Sequence, residues 1–162
     1  MKKPFVLVSI ALLLIIVGAV STLATLHQSA QAAPTVQGGN VVHVVEHAIT
    51  DTVVDVGPKG DSVGDLLPFA NPVFDAADKK QVGTDNGNCI RTVVGKVYEC
   101  NWTTILSGGQ ITVEGPYYDS GADSMLSIIG GTGMYKNARG QMKLHARGNP
   151  LGSEYDFIFF LN

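Results

Sequence analysis

His43-Val44-Val45-Glu46-His47 places two imidazoles and a carboxyl within five residues. On a helix this H-x-x-E-H order is the inverted zinc-protease signature, in which both histidines share a face. Here it lies in Val41–Val56, a run rich in Val, Ile and Thr with no apolar stripe of helical period. On a strand, alternation sets Glu46 opposite both histidines. His43 and His47 still share a face, but no third ligand is evident, so no metal is expected. Glu46 alternates with Val44 and Ala48, and the pattern alone leaves it either buried or outward. A buried carboxyl is costly unless paired, and burial raises its pKa. That makes Glu46 a functional candidate.

The other chemistry-bearing segments read more blandly. Gly130-Gly131-Thr132-Gly133 has the glycines of a phosphate loop, but no helix follows and no Lys-Ser/Thr pair completes it. It reads as a turn with close backbone approach. Asn101-Trp102-Thr103 is a glycosylation sequon inside a strand beside Cys100, and we read it as incidental. Trp102, the only tryptophan, fits either a barrel end or a cavity wall. No Ser-His-Asp order with a nucleophile elbow is present, so acyl-transfer hydrolysis has no support. Leu67, Phe69 and Tyr117 read first as core. Asn71, just before Pro72, fits a turn.

Around these residues the chain runs strand after strand. Gly57-Pro58-Lys59-Gly60 ends the Val41–Val56 run as a turn. Val63–Phe74 is the next strand, where Pro68 and Pro72 indicate bulges or an edge segment. Cys89–Val94 and Val97–Ser107 form a hairpin around Gly95-Lys96, and Ser107-Gly108-Gly109 turns into Gln110–Glu114. Ser124–Ile129, Gly140–Arg147 and Glu154–Leu161 complete the set. In the last, Tyr155, Phe157, Phe159 and Leu161 share one face. About eight short strands without a helix predict an all-β fold, a closed barrel or a sandwich. Closure removes the exposed edges of a secreted chain. If the hairpin closes at Thr92 and Val97, Cys89 lies directly opposite Cys100, within reach of a disulfide. The alternative is two free thiols.

The N-terminus has the three parts of a signal peptide: Lys2 and Lys3, the apolar stretch Phe5–Val20, and a polar region ending in Ala30-Gln31-Ala32. Cleavage is expected after Ala32, leaving a flexible lead-in over 33–40 and one domain over 41–162. The other reading retains Phe5–Leu26 as a membrane anchor. Both are extracytoplasmic, where two cysteines favour a disulfide. Loss of the two lysines moves the net charge from −3 to −5. Such a domain has no electrostatic footprint for nucleic acid.

From Gly64 onward the chain resembles the allene oxide cyclase and dirigent superfamily. The resemblance is carried by Gly64–Asn71, by Gly87-Asn88-Cys89 and by Tyr98-Glu99-Cys100. It continues through Gly109–Tyr117 and from Ile129–Gly133 to Ala138-Arg139-Gly140. It implies an eight-stranded antiparallel β-barrel with an apolar cavity, often trimeric, that takes an apolar small molecule and needs no cofactor. Residue by residue, it implies Glu46 and Asn71 as catalytic candidates and Leu67, Phe69, Cys89 and Tyr117 as ligand contacts. In such a site a carboxylate stabilises positive charge as an epoxide opens, while apolar walls impose the folded conformer. Ala48 stands where the plant cyclases have an Asn, and a Cys89–Cys100 bond would leave no free thiol. Both features, with export, argue against the plant-type reaction.

Three functions remain open: a barrel steering cyclisation or coupling, a non-catalytic lipocalin-like binder, and a surface-interaction domain. A cavity with Glu46 or Asn71 facing it separates the first from the others.

Overall fold

Eight antiparallel strands, each bonded to its sequence neighbours, close into a barrel: β1 Asn40–His47, β2 Leu66–Asp75, β3 Gln81–Val93, β4 Val97–Leu106, β5 Gly109–Tyr118, β6 Ser124–Gly131, β7 Gly140–Ala146 and β8 Glu154–Leu161. A single 3-10 turn, Gly133–Tyr135, follows β6. The computed structural model describes residues 40–148 and 153–162. The expected signal peptide (1–32) and lead-in residues 33–39 lie outside the described residues. Among those described, the strand run already begins at Asn40.

The β-rich run Val41–Val56 does not stay in the sheet. It leaves the ladder after His47, and residues 48–65 form an irregular segment touching β2 through one bridge, Val54 to Leu66. β1 pairs with β2 only from Val44 to Glu46, opposite Asp75 to Val73. Side chains and loop backbone serve the rest of that flank of β2. The Leu66 N–H bonds the Val54 carbonyl, and the Ala70 N–H bonds Thr50 Oγ1 at 2.8 Å. The same alternation points the nitrogens of Pro68 and Pro72 at this flank, where a missing donor costs no ladder bond. The edge reading of those prolines therefore holds within a closed barrel.

The hairpin register also holds, by a different turn. β3 and β4 close at Val93 and Val97 around Val94-Gly95-Lys96, with an irregularity between Arg91 and Val93. The extra residue absorbs the shorter loop, and Cys89 still faces Cys100 and is disulfide-bonded to it. β3 also extends eight residues earlier than expected, to Gln81, through a polar stretch lacking the apolar alternation of a strand.

One half of the barrel interior is solid. Ile111, Val113, Leu126, Met142 and Phe159 are essentially inaccessible. Trp102 lies opposite Gly87, where a Cβ would collide with the Trp102 Cβ and Cα. Gly87 is thus the notch that lets the indole lie inward. At one end Arg91 stacks on the Tyr98 ring at 3.6 Å and is held by Asp61 and Asp119, so its charge is fully engaged.

Two outcomes follow for stability. Reducing the disulfide should lower unfolding free energy by roughly 3 kcal/mol, as expected for closing so short a loop; a urea midpoint unmoved by reductant would contradict this. Gly87→Ala should cost about 1–3 kcal/mol, because backbone as well as side chain must move. Unchanged melting would show that β3 and β4 have slack here.

Candidate active site

Asn71 organises the site. It is buried in the middle of β2, with Asp85 of β3 as its cross-strand partner. Its side-chain nitrogen donates to Glu46 Oε1 at 2.8 Å and to Asp51 Oδ1 at 2.7 Å. Its side-chain oxygen accepts from the backbone N–H groups of Ile49 and Thr50 and from the Thr50 hydroxyl. Its own backbone N–H donates to Asp85 Oδ1 at 3.1 Å. One amide side chain therefore holds the loop that replaces β1 along β2, and it orients two of three converging carboxyls. The turn expected at Asn71 is not there: Asn71 lies within β2, and its side chain serves the backbone of a loop on another segment.

Glu46 points inward, as one of the two alternation readings allowed. It sits across from Val73 of β2 and Tyr155 of β8. Burial, then the charge of Asp85, pushes its pKa well above the usual carboxyl range, against the lowering effect of the Asn71 amide. Burial likewise pushes Asp85 up to about 6, while its contacts with Glu46 and the Asn71 backbone hold it down. Asp85 Oδ2 is buried with no conventional donor among the described residues, which suits it to accept from a protonated Glu46. The pair therefore holds a proton above the ordinary carboxyl range, and burial favours Glu46 as its carrier. Glu46 is then a proton donor at rest, not the standing carboxylate that the resemblance implied.

Beside Glu46 is a cavity of about 70 Å³ lined by Glu46, Asp51, Leu67, Phe69, Cys100, Trp102, Tyr117, Leu144, Tyr155 and Phe157. Trp102 packs against Phe157 with centroids 5.2 Å apart, and edge-on to Phe69 at 6.0 Å. The hydroxyls of Tyr117 and Tyr155 meet at 3.1 Å across the lumen. Burial, then the Tyr117 hydroxyl, holds the Tyr155 phenol above its ordinary range, so it stays a neutral donor. Asp51, exposed to solvent, and the half-buried Leu67, Phe69 and Tyr117 form the mouth. The volume is about half that of a cavity able to admit benzene (~150 Å³), so a ring must displace these mouth side chains.

The cavity thus gathers Glu46, Leu67, Phe69 and Tyr117. Asn71 stands behind the wall as a positioning residue. Cys89 is tied up in the disulfide, and it is Cys100 that faces the cavity. His43 and His47 lie away from it, bonded to Asp156 and Asp78. His47, Asp78 and Glu154 could offer three ligand atoms to a cation, but Arg147 already bonds Asp78 at 2.9 Å. Sequence reasoning missed Asp51, Asp85 and Tyr155 as site residues. For Asp85 a signal existed: counting back by twos from an inward Cys89 gives Gly87 and Asp85.

A family model described as allene oxide cyclase matches residues 35–161. The chain belongs to the allene oxide cyclase family. Solved structures similar to this family member include a pyocyanin demethylase, 27% identical, covering 74% of this chain and 100% of that one, TM-score 0.62. A pterocarpan synthase dirigent protein is 17% identical over 77% of this chain and 96% of its own, TM-score 0.61. An exo-specific intermolecular Diels-Alderase is 15% identical over 77% and 98%, TM-score 0.59. The last two share the fold.

The raised carboxyls leave a mark on stability. Unfolded, Glu46 and Asp85 ionise near pH 4; folded, they hold their protons to higher pH. The folded state therefore binds more protons in between, and stability falls as pH rises from about 4 through about 6. Asp65, Asp78 and Asp123 have lowered pKa values, so their contributions are lost only below their usual range. Asp85→Asn keeps an oxygen for the Asn71 N–H. Its urea midpoint should fall less than wild type between about pH 4.5 and about pH 7. Parallel profiles would show that Asp85 ionises normally.

Proposed function

We propose that this barrel is an exported protein that binds a small, largely apolar, ring-bearing molecule in the cavity beside Glu46 and steers its cyclisation or coupling by proton transfer from Glu46. The observation carrying this reading is the placement of a proton-holding carboxyl, backed by Asp85 and fixed by Asn71, on the wall of an aromatic cavity. A general acid works best when its pKa lies near the operating pH, and burial moves Glu46 that way. The Tyr117–Tyr155 pair is positioned to donate to an oxygen on the bound molecule. Leu67, Leu144 and the aromatic rings would hold the reactive conformer, so part of the acceleration is conformational.

Family membership supports the reading, since dirigent proteins and a Diels-Alderase share the fold. The pyocyanin demethylase likeness supports a ring-bearing substrate. The Lys2-Lys3, apolar Phe5–Val20 and Ala30-Gln31-Ala32 pattern supports export, and the resemblance supports a trimer. Purely non-catalytic binding would give the cavity no use for a buried pair of carboxyls, whose ionisation costs stability.

The test uses Trp102, the only tryptophan, as reporter. Titration with one-, two- and three-ring compounds, pyocyanin among them, should quench its fluorescence saturably. Leu67→Trp, which plugs the mouth, should abolish the effect once its own emission is subtracted. Glu46→Gln should retain binding and slow conversion of a bound substrate by about a hundredfold or more. Absence of saturable quenching by any ring compound would overturn the reading.

A further inference from the structure

The charge around the cavity is one-sided. Glu46 and Asp51 line it, and Asp85 stands behind them within reach of Glu46. Among the described residues, no Lys, Arg or His lines it. The donors that bond these carboxyls are the neutral side-chain amide and backbone N–H of Asn71. Three cations of the barrel are engaged elsewhere: Arg91 with Asp61 and Asp119, Arg147 with Asp78, Lys143 with Asp123. The remaining lining is dominated by ring faces and edges of Phe69, Trp102, Tyr117, Tyr155 and Phe157. Aromatic faces attract cations through their quadrupole, Trp most strongly. Carboxyls without a counter-cation do the same and repel anions.

We infer that the cavity selects a ring bearing a positive charge, such as a quaternised aromatic nitrogen, over a neutral ring of the same shape. This rests on the reading of the cavity as a small-molecule site, and it names the chemical class of the ligand. The cation supplies the counter-charge that the protein withholds from Asp51 and from the single negative charge held between Glu46 and Asp85. Its flat ring packs against Trp102 as Phe69 at the mouth gives way, while Asp51 meets it first. An anionic ligand, such as a fatty carboxylate, has no partner in this lining.

The discriminating probes are 1-methylquinolinium and 1-methylnaphthalene, two-ring molecules of one shape that differ in the charged nitrogen. Binding to the full chain is read from the single Trp102 indole N–H signal in nitrogen-15 NMR. The cation should bind at least about tenfold more tightly, a difference of about 1.4 kcal/mol. Asp51→Asn should shrink that preference severalfold by weakening the binding of the cation. Asp51 is solvent-exposed, and an unshifted indole signal in the ligand-free variant verifies its fold. Equal or tighter binding of 1-methylnaphthalene would overturn the inference and leave the cavity reading standing. A preference that survives this substitution would overturn it too, because the charge would be read elsewhere. Failure of both probes to shift Trp102 would overturn the cavity reading together with the inference.

Discussion

The structure turns on one side chain that uses every hydrogen bond it can make. Asn71 donates both amide hydrogens to carboxyls and accepts three donors from the segment leaving β1. Where β1 departs from β2, the barrel would otherwise carry an unpaired edge. Asn71 and Thr50 close that seam with side chains in place of a ladder. The same amide fixes Glu46 at the cavity, so closure and site are one arrangement. Losing the amide would leave buried donors and acceptors unmatched on both sides, which costs more than one bond.

The cavity exists because the barrel is filled unevenly. Eight strands enclose an interior just wide enough for side chains or one small ligand. Ile111, Val113, Leu126, Met142 and Phe159 fill one half, and Gly87 lets Trp102 lie flat in the other. The disulfide ties β3 to β4 beside that ring, so the wall carrying Cys100 and Trp102 is braced. Rigid walls on one side and half-buried Leu67 and Phe69 at the mouth suit a site that opens from one end.

Much of this was legible in the sequence, for stated reasons. Period-two alternation gave the inward face of β8, and the cysteine register survived even though the turn that produces it is one residue shorter than expected. The prolines marked the seam. What stayed hidden follows from physics that hydropathy does not record. Ile49, Val53, Val54 and Val56 have strand-forming side chains, but only Val54 finds a bridge to β2, so propensity yielded to topology. Asp85 sits in a polar run that imitates a loop, since its burial depends on Asn71, 14 positions away, and on Glu46, a further 25 positions before Asn71. A buried acid is supported by partners, and those partners are distant in sequence.

What must hold is that Glu46, on the cavity wall with Asp85 behind it, keeps its proton above the ordinary carboxyl range. Carbon-13 NMR titration of the Glu46 and Asp85 side-chain carboxyl carbons tests it most directly. The account predicts that Glu46 titrates well above the ordinary carboxyl range and that Asp85 titrates near 6. It also predicts that Asp85→Asn brings the Glu46 transition down, because a neighbouring negative charge is removed. Two independent transitions near pH 4, unaffected by substituting the partner, would contradict it.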